Sequence, residues 1–196
     1  MVAYVFDRIL AKGVRAGQLP ARTQGARDWF REAARKTSAS PEGIMRGADK
    51  SDFANSGAFG AMFMFYYDPK HKATLPYYDT FPLVFPFSKA PGGFMGLNMH
   101  YLPLRLRARL MDALYETASN DKYDDTTKLR LSYNILNASA RYKYYKPTVH
   151  HYLTDHLRSR LLRISSSDWD TALFLPVERF EKASKTKVWA DSRKAV

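Results

Sequence analysis

A chain of 196 residues with 31 Lys and Arg against 19 Asp and Glu has a formal net charge of +12, which calls for a polyanionic or acidic partner. Apolar residues are 45% of the chain, enough for a core, and the lack of cysteine excludes disulfides, thiolate catalysis and cysteine-based zinc sites. No stretch approaches the roughly 20 apolar residues of a membrane span, and the first residues show no signal-peptide pattern, so the chain reads as cytosolic, soluble and without a membrane partner.

Residues 1–40 read as a basic helical region. Phe6, Ile9 and Leu10 share one helix face, with Gly13 as a stop. Thr23 is placed to cap a second helix with Ala26, Trp29, Phe30 and Ala33 on its inner face. Arg15, Arg22, Arg27 and Arg31 fall on the polar faces. Ser38 to Gly57 is rich in turn signals, Ser40-Pro41 among them, and reads as a loop or linker.

Residues 57–102 read as β structure. Met62 to Tyr67 is a continuous apolar and aromatic run ended by Asp68-Pro69. Thr80 to Phe87 is a second run. Pro82 and Pro86 lack a ladder donor, so they are expected to put it at a sheet edge or break it into pieces. Phe94 to Leu102 follows the turn Ala90-Pro-Gly-Gly93, and Gly93 and Gly96 permit a bulge or a close approach. Tyr77, Tyr78 and Phe81 fit either a sticky exposed loop or the lid of a small core, the second being preferred.

Residues 103–196 read as mainly helical. Pro103 opens a helix with the stripe Leu106, Leu110, Ala113 and Leu114. A polar connection at Asn120 to Asp125 precedes a helix expected over Lys128 to Ala140. Val149, Leu153, Leu157 and Leu161 recur every four residues and predict a long helix after Lys146-Pro-Thr. Asp168-Trp-Asp170 reads as a turn, Ala172 to Pro176 as a short buried strand, and Val177 onward as a last helix. Together these predict an α+β fold, one domain over 1–196. Its small curved antiparallel sheet comes from the central residues and packs with N- and C-terminal helices.

Chemistry-bearing groups are sparse. His150, His151 and His156 lack the i, i+4 spacing of helical metal ligands, and no metal is assigned. Asp68-Pro69 and Ser167-Asp168 are ordinary turn chemistry, and Asp79 with Lys89 makes a thin case for a metal-dependent nuclease. No nucleophile elbow, phosphate loop or dinucleotide fingerprint occurs, so no cofactor is expected and the chain reads as a non-enzyme. The basic patches are stronger. Arg15, Arg22, Arg27 and Arg31 are joined by Arg141, Lys143, Lys146, Arg158, Arg160, Arg163, Lys185 and Lys187, with Tyr144 and Tyr145 interleaved. Lys and Arg suit phosphates and aromatic faces suit unpaired bases; the bland reading is a set of solvated helix faces.

Several phrases carry a likeness: Phe6-Asp-Arg-Ile-Leu, Gly13-Val-Arg-Ala-Gly-Gln-Leu-Pro-Ala-Arg-Thr23, Ala26-Arg-Asp-Trp-Phe30, Leu75-Pro-Tyr-Tyr-Asp-Thr-Phe-Pro-Leu-Val84, Gly93-Phe-Met-Gly-Leu-Asn-Met-His-Tyr-Leu102 and Trp169-Asp-Thr-Ala-Leu-Phe-Leu-Pro176. Together they resemble the DNA end protector family of T4-like tailed bacteriophages over nearly the whole chain. The resemblance implies a virion protein, present in the host cytoplasm during assembly, that binds the ends of double-stranded genomic DNA and shields them from host exonuclease. Other virion proteins would be its neighbours. The alternative is a structural component of the tail, baseplate or neck that meets an acidic protein.

Overall fold

The computed structural model describes residues 4–19, 23–118, 124 and 133–194, the side chains of 117 and 118 apart. Arg22, most of the connection expected at Asn120 to Asp125, and the first residues of the helix expected from Lys128 lie outside that set.

Helix α1 (Val5–Arg15) buries Val5, Phe6, Ile9 and Gly13, with Asp7 in its first turn and Lys12 and Arg15 in its last, matching the helix dipole. It does not stop at Gly13. That residue lies inside the helix, where the Phe30 ring occupies the space a Cβ would need. Gly17, with a positive φ of 72°, turns the chain away instead. Helix α2 (Gln24–Arg35) starts at Thr23, whose Oγ1 accepts from Ala26 N at 3.1 Å. Phe6, Ile9 and Phe30 share one core with the sheet residues Met62, Leu83 and Phe85, so both helices are fastened to the body.

The expected linker is ordered structure. The Ser40-Pro41 pair is a helix start, since Ser40 Oγ accepts from Gly43 N and Pro41 occupies the first turn. Helix α3 (Pro41–Gly47) is anchored by buried Ile44. Strand β1 (Phe53–Ala54) follows.

Strands β2 (Met62–Met64), β4 (Leu83–Ala90) and β5 (Gly93–Asn98) come from the region predicted to be β-rich. Strands β6 (Val149–Leu153) and β7 (Leu161–Ile164) do not; they replace the predicted long helix. The sheet order is β1-β7-β2-β4-β5-β6, every pair antiparallel. Pro86 neither ends β4 nor leaves it at an edge. It lies at an irregularity where the register with β5 shifts between Pro86 and Ser88. A two-stranded ribbon pairs β3 (Tyr78–Asp79) with β8 (Phe180–Glu181).

The sheet is apolar on both faces, which explains its unbroken hydrophobic runs. Met62, Met64, Leu83 and Phe85 face the main core with the helices. Phe63, Phe65, Val84, Phe94 and Tyr152 form a second cluster. After β6, Asp68 N donates to His156 O and Arg158 N to Tyr66 O, carrying the chain across the end of β2 and on to β7. The sheet therefore curls around its aromatic cluster.

Helix α4 (Leu104–Ala118) turns Leu110, Met111, Leu114 and Tyr115 inward together with Arg107. Leu106 and Ala113, expected in the inner stripe, are only half-buried. A helical segment at 133–139 (α5) precedes β6. Residues Trp169–Phe174 form α6, not a turn and a strand, because Thr171, Ala172 and Leu173 are buried on all sides of a short helix. The last helix, α7, covers only Lys185–Lys194. The α+β class holds, but the sheet draws β6 and β7, and the ribbon β8, from the region expected to be helical.

Candidate nucleic-acid interface

The structure divides the predicted basic residues into two sets. Arg31 is buried and fully used: Nε donates to Asp170 at 2.7 Å, Nη2 to Asp112 at 2.6 Å and Nη1 to Asp28 at 3.2 Å. Burial pulls its pKa down, but the Asp112 hydrogen bond and the charge of Asp170 outweigh that and hold it above the usual value. Arg27 stands 3.3 Å from Asp112, with its guanidinium over the Tyr115 ring. These two arginines tie α2 to α4 and α6. Arg158 pairs with Asp68 at 3.1 Å, Arg160 donates to Phe53 O at 2.6 Å and Asn55 at 3.1 Å, and Lys187 pairs with Asp191 at 3.0 Å. Lys185 reaches toward Glu178 at 3.8 Å and lies over Trp189.

Arg158, Arg160, Lys185 and Lys187 are nonetheless exposed, so only Arg27 and Arg31 are withdrawn from solvent; the remaining described cations are exposed without a carboxylate partner among the described residues. Arg15 is exposed near the end of α1, and Arg163 is exposed on β7. Arg141, Lys143, Tyr144 and Lys146 are exposed in the turns before β6, whereas Tyr145 is half-buried against the core. Tyr144 therefore offers its face and Tyr145 anchors the segment.

One groove of about 1030 Å³ gathers what the linear sequence scatters. Its walls are α2, through Gln24, Asp28 and Arg31, and the outer stripe of α4, through Arg105, Arg109, Asp112 and Glu116. Tyr144 and Arg193 of α7 complete it. Arg105 and Arg109 lie one turn apart, about 6 Å along the axis, close enough to hold neighbouring phosphates of one strand. Arg105, Arg109 and Arg193 make no ion pair with a described residue, while Asp28 and Asp112 are already engaged by Arg27 and Arg31. The groove thus combines three guanidinium groups and one carboxylate, Glu116, that make no ion pair with a described residue, and an aromatic face that is 56% exposed. Such an arrangement suits a phosphate backbone and an adjoining base. Arg105, Arg109 and Arg193 were not among the predicted residues. The available signal was the four-residue spacing of Arg105 and Arg109 opposite the buried face of α4.

The carboxylates weighed for nuclease chemistry are occupied elsewhere. Asp79 is buried, accepting from Phe81 N at 3.0 Å and Asn98 Nδ2 at 3.2 Å and meeting His100 Nδ1 at 2.8 Å. Asp68 is bonded to Lys72 and Arg158, which lower its pKa in that order. Lys89 is exposed toward the hairpin end of β4. His150 and His151 lie on β6 and His156 in the 3-10 turn after it, not on one helix. Among the described residues no group of three or more His, Asp or Glu is placed to hold a metal ion, and no helix is long and apolar enough to cross a membrane.

Compared with known families, the chain matches the model for the Phage T4 terminal DNA protecting protein over residues 6–193. No curated protein and no solved structure matches it.

Proposed function

We propose, on the premise that this chain belongs to the Phage T4 terminal DNA protecting protein family, that it binds the ends of linear duplex DNA and shields them from host exonuclease by steric cover. The family's role is protection of DNA termini in a T4-like bacteriophage. That task requires affinity and occlusion, not turnover, and the protein acts as a non-enzyme. Its place is in the virion, after assembly in the host cytoplasm, with other virion proteins as neighbours.

The observation that carries the reading is the α2–α4 groove, where Arg105, Arg109 and Arg193, which form no ion pair with a described residue, lie beside exposed Tyr144. Phosphate contacts by these arginines supply salt-dependent affinity, and a terminal base pair gives Tyr144 a face on which to stack. The exposed Arg141, Lys143 and Lys146 extend the positive surface along the same segment.

The test compares binding to a linear duplex and to a closed circle of the same sequence across a salt series, with an exonuclease digestion in parallel. The reading expects tight, salt-sensitive binding that favours the linear form and slows digestion. Equal binding to both forms without protection would sink it.

A further inference from the structure

A second cavity, of about 430 Å³, lies between the loop that follows Asp68 and strand β6. Its size falls within the range of pockets that take small organic groups. Tyr77, Tyr101, His150 and Tyr152 line it, with Lys70 and His71 on the loop beside it. We propose that this cavity receives an unpaired nucleobase from the end of the DNA, stacked against its aromatic lining, with Lys70 on the adjoining phosphate. The proposal rests on the end-binding reading and adds to it where the last base goes.

The lining suits a planar heteroaromatic group. The Tyr101 and His150 rings pack on each other with centroids 4.2 Å apart, and Tyr77 stands 6.1 Å from Tyr101, so a base would stack on the cavity side of this cluster and not between its rings. His150 Nε2 lies 3.1 Å from Pro147 O. A carbonyl only accepts, so the proton is on Nε2 and Nδ1 is left as an acceptor. Burial, the leading cause, pulls His150 down to about 4, so near pH 7 the ring is a neutral stacking surface. Tyr77 and Tyr78 are half-buried here and Phe81 is buried, so the tyrosine loop covers the cavity.

The loop is also built to hold its shape. Lys182 is the one non-glycine residue with positive φ, 67°, among the described residues. From that conformation its ammonium donates to Lys72 O at 2.6 Å, Ala73 O at 3.0 Å and Leu75 O at 3.0 Å. A left-handed lysine is a costly way to fasten an ordinary surface loop. It is intelligible where the loop must hold one shape as a preformed wall of the cavity.

Position links the cavity to the groove. The segment that puts Tyr144 in the groove puts His150 in the cavity six residues on. Helix α7 gives Arg193 to the groove, and its Asp191 and Lys187 act on the Tyr77 hydroxyl. The groove and the cavity are therefore bordered by the same two elements.

The test uses the full chain and fluorescence anisotropy with three kinds of duplex: blunt, with a one-nucleotide overhang, and with an abasic overhang, the two overhangs each in 5′ and 3′ form. The expected result is that one polarity of base-bearing overhang binds about tenfold more tightly than its abasic counterpart, as one base–aromatic stack supplies. Tyr77→Ala should bring that ratio to about one, by loss of the same stack, while blunt-end binding persists. Lys70→Ala, at an exposed position, should weaken both overhangs and leave blunt ends unchanged. Equal affinity for base and abasic overhangs, with all three duplexes bound, would overturn the cavity proposal and leave end binding intact. Absence of binding to any linear duplex would overturn the end-binding reading, and the cavity proposal with it.

Discussion

Arg31 carries the main electrostatic weight of the helical layer. Its partners, Asp112 and Asp170, lie 81 and 139 residues away, so nothing in its neighbourhood marks it as internal. Arg31→Met would leave the buried Asp170 carboxylate without its cation, at a cost of about 3–5 kcal/mol. A urea-denaturation midpoint unchanged from the parent would refute that role. Two other residues set opposed pH dependences. Burial, and then the charges of Asp7 and Asp52, push Asp168 from 3.8 up to about 6. Between those values the folded chain keeps a proton that the unfolded chain has released, so Asp168 lowers stability as pH rises through that window. Burial pulls His150 from 6.5 to about 4. There the unfolded chain keeps the proton, so His150 raises stability as pH rises from about 4 to 6.5. Asp168→Asn should therefore steepen the gain in stability with pH, and His150→Gln should flatten or reverse it. Each change amounts to about 1–3 kcal/mol between pH 4 and pH 7. Melting temperatures at four pH values decide this, and parallel profiles for all three proteins would count against both assignments.

At the scale of elements, local signals were legible where local forces decide. Thr23 caps α2 as its position suggested, and Met62 to Met64 and Phe94 to Asn98 lie in strands. Strand β6 was illegible for a tertiary reason. Val149, Leu153, Leu157 and Leu161 do recur every four residues, yet Leu153 and Leu157 are only half-buried, and the inward residue is Tyr152. What fixes the strand is β5, where Gly93 pairs with Leu153 and Gly96 with His150. A Cβ on Gly93 would overlap the Tyr152 carbonyl oxygen, so this glycine permits the approach that β6 requires. Gly93→Ala should cost about 1–3 kcal/mol by forcing the strands apart. Gly25→Ala is the matched comparison, because Gly25 lies in α2 with open space around its Cα. It should stabilise by up to about 1 kcal/mol through helix propensity. Equal effects of the two substitutions in thermal unfolding would refute the close-approach argument. Helix α6 was missed for a similar reason, since an apolar run buried on all sides has no periodic signature.

At the scale of the whole molecule, a net charge of +12 signals a polyanion without saying which cations meet it. Folding makes that selection. Arg27 and Arg31 looked like contact residues by density, and folding turns them inward onto Asp112 and Asp170, whereas Arg158, Arg160 and Lys187 pair at the exposed surface and stay within reach of a polyanion. Arg105, Arg109 and Arg193 looked ordinary, and the folded arrangement brings them to one groove with Tyr144. The site was thus legible in its aromatic member and illegible in its arginines, because pairing over long sequence separation decides which charges stay free. This selection has a thermodynamic signature. Each of Arg105→Ala, Arg109→Ala and Arg193→Ala should weaken duplex binding and reduce the slope of log K against log salt by about 0.9 per lost phosphate contact. Tyr144→Ala should weaken binding to linear DNA with its slope unchanged, since stacking releases no counterions. Lys89→Ala, at an exposed position toward the hairpin end of β4, should change neither quantity. Affinities measured by anisotropy between 50 and about 300 mM salt, the range over which counterion release dominates, test all five substitutions together. Slopes unaltered by the three arginine changes would move the contact surface away from the groove, to the exposed Arg141, Lys143 and Lys146 or to Arg163 on β7.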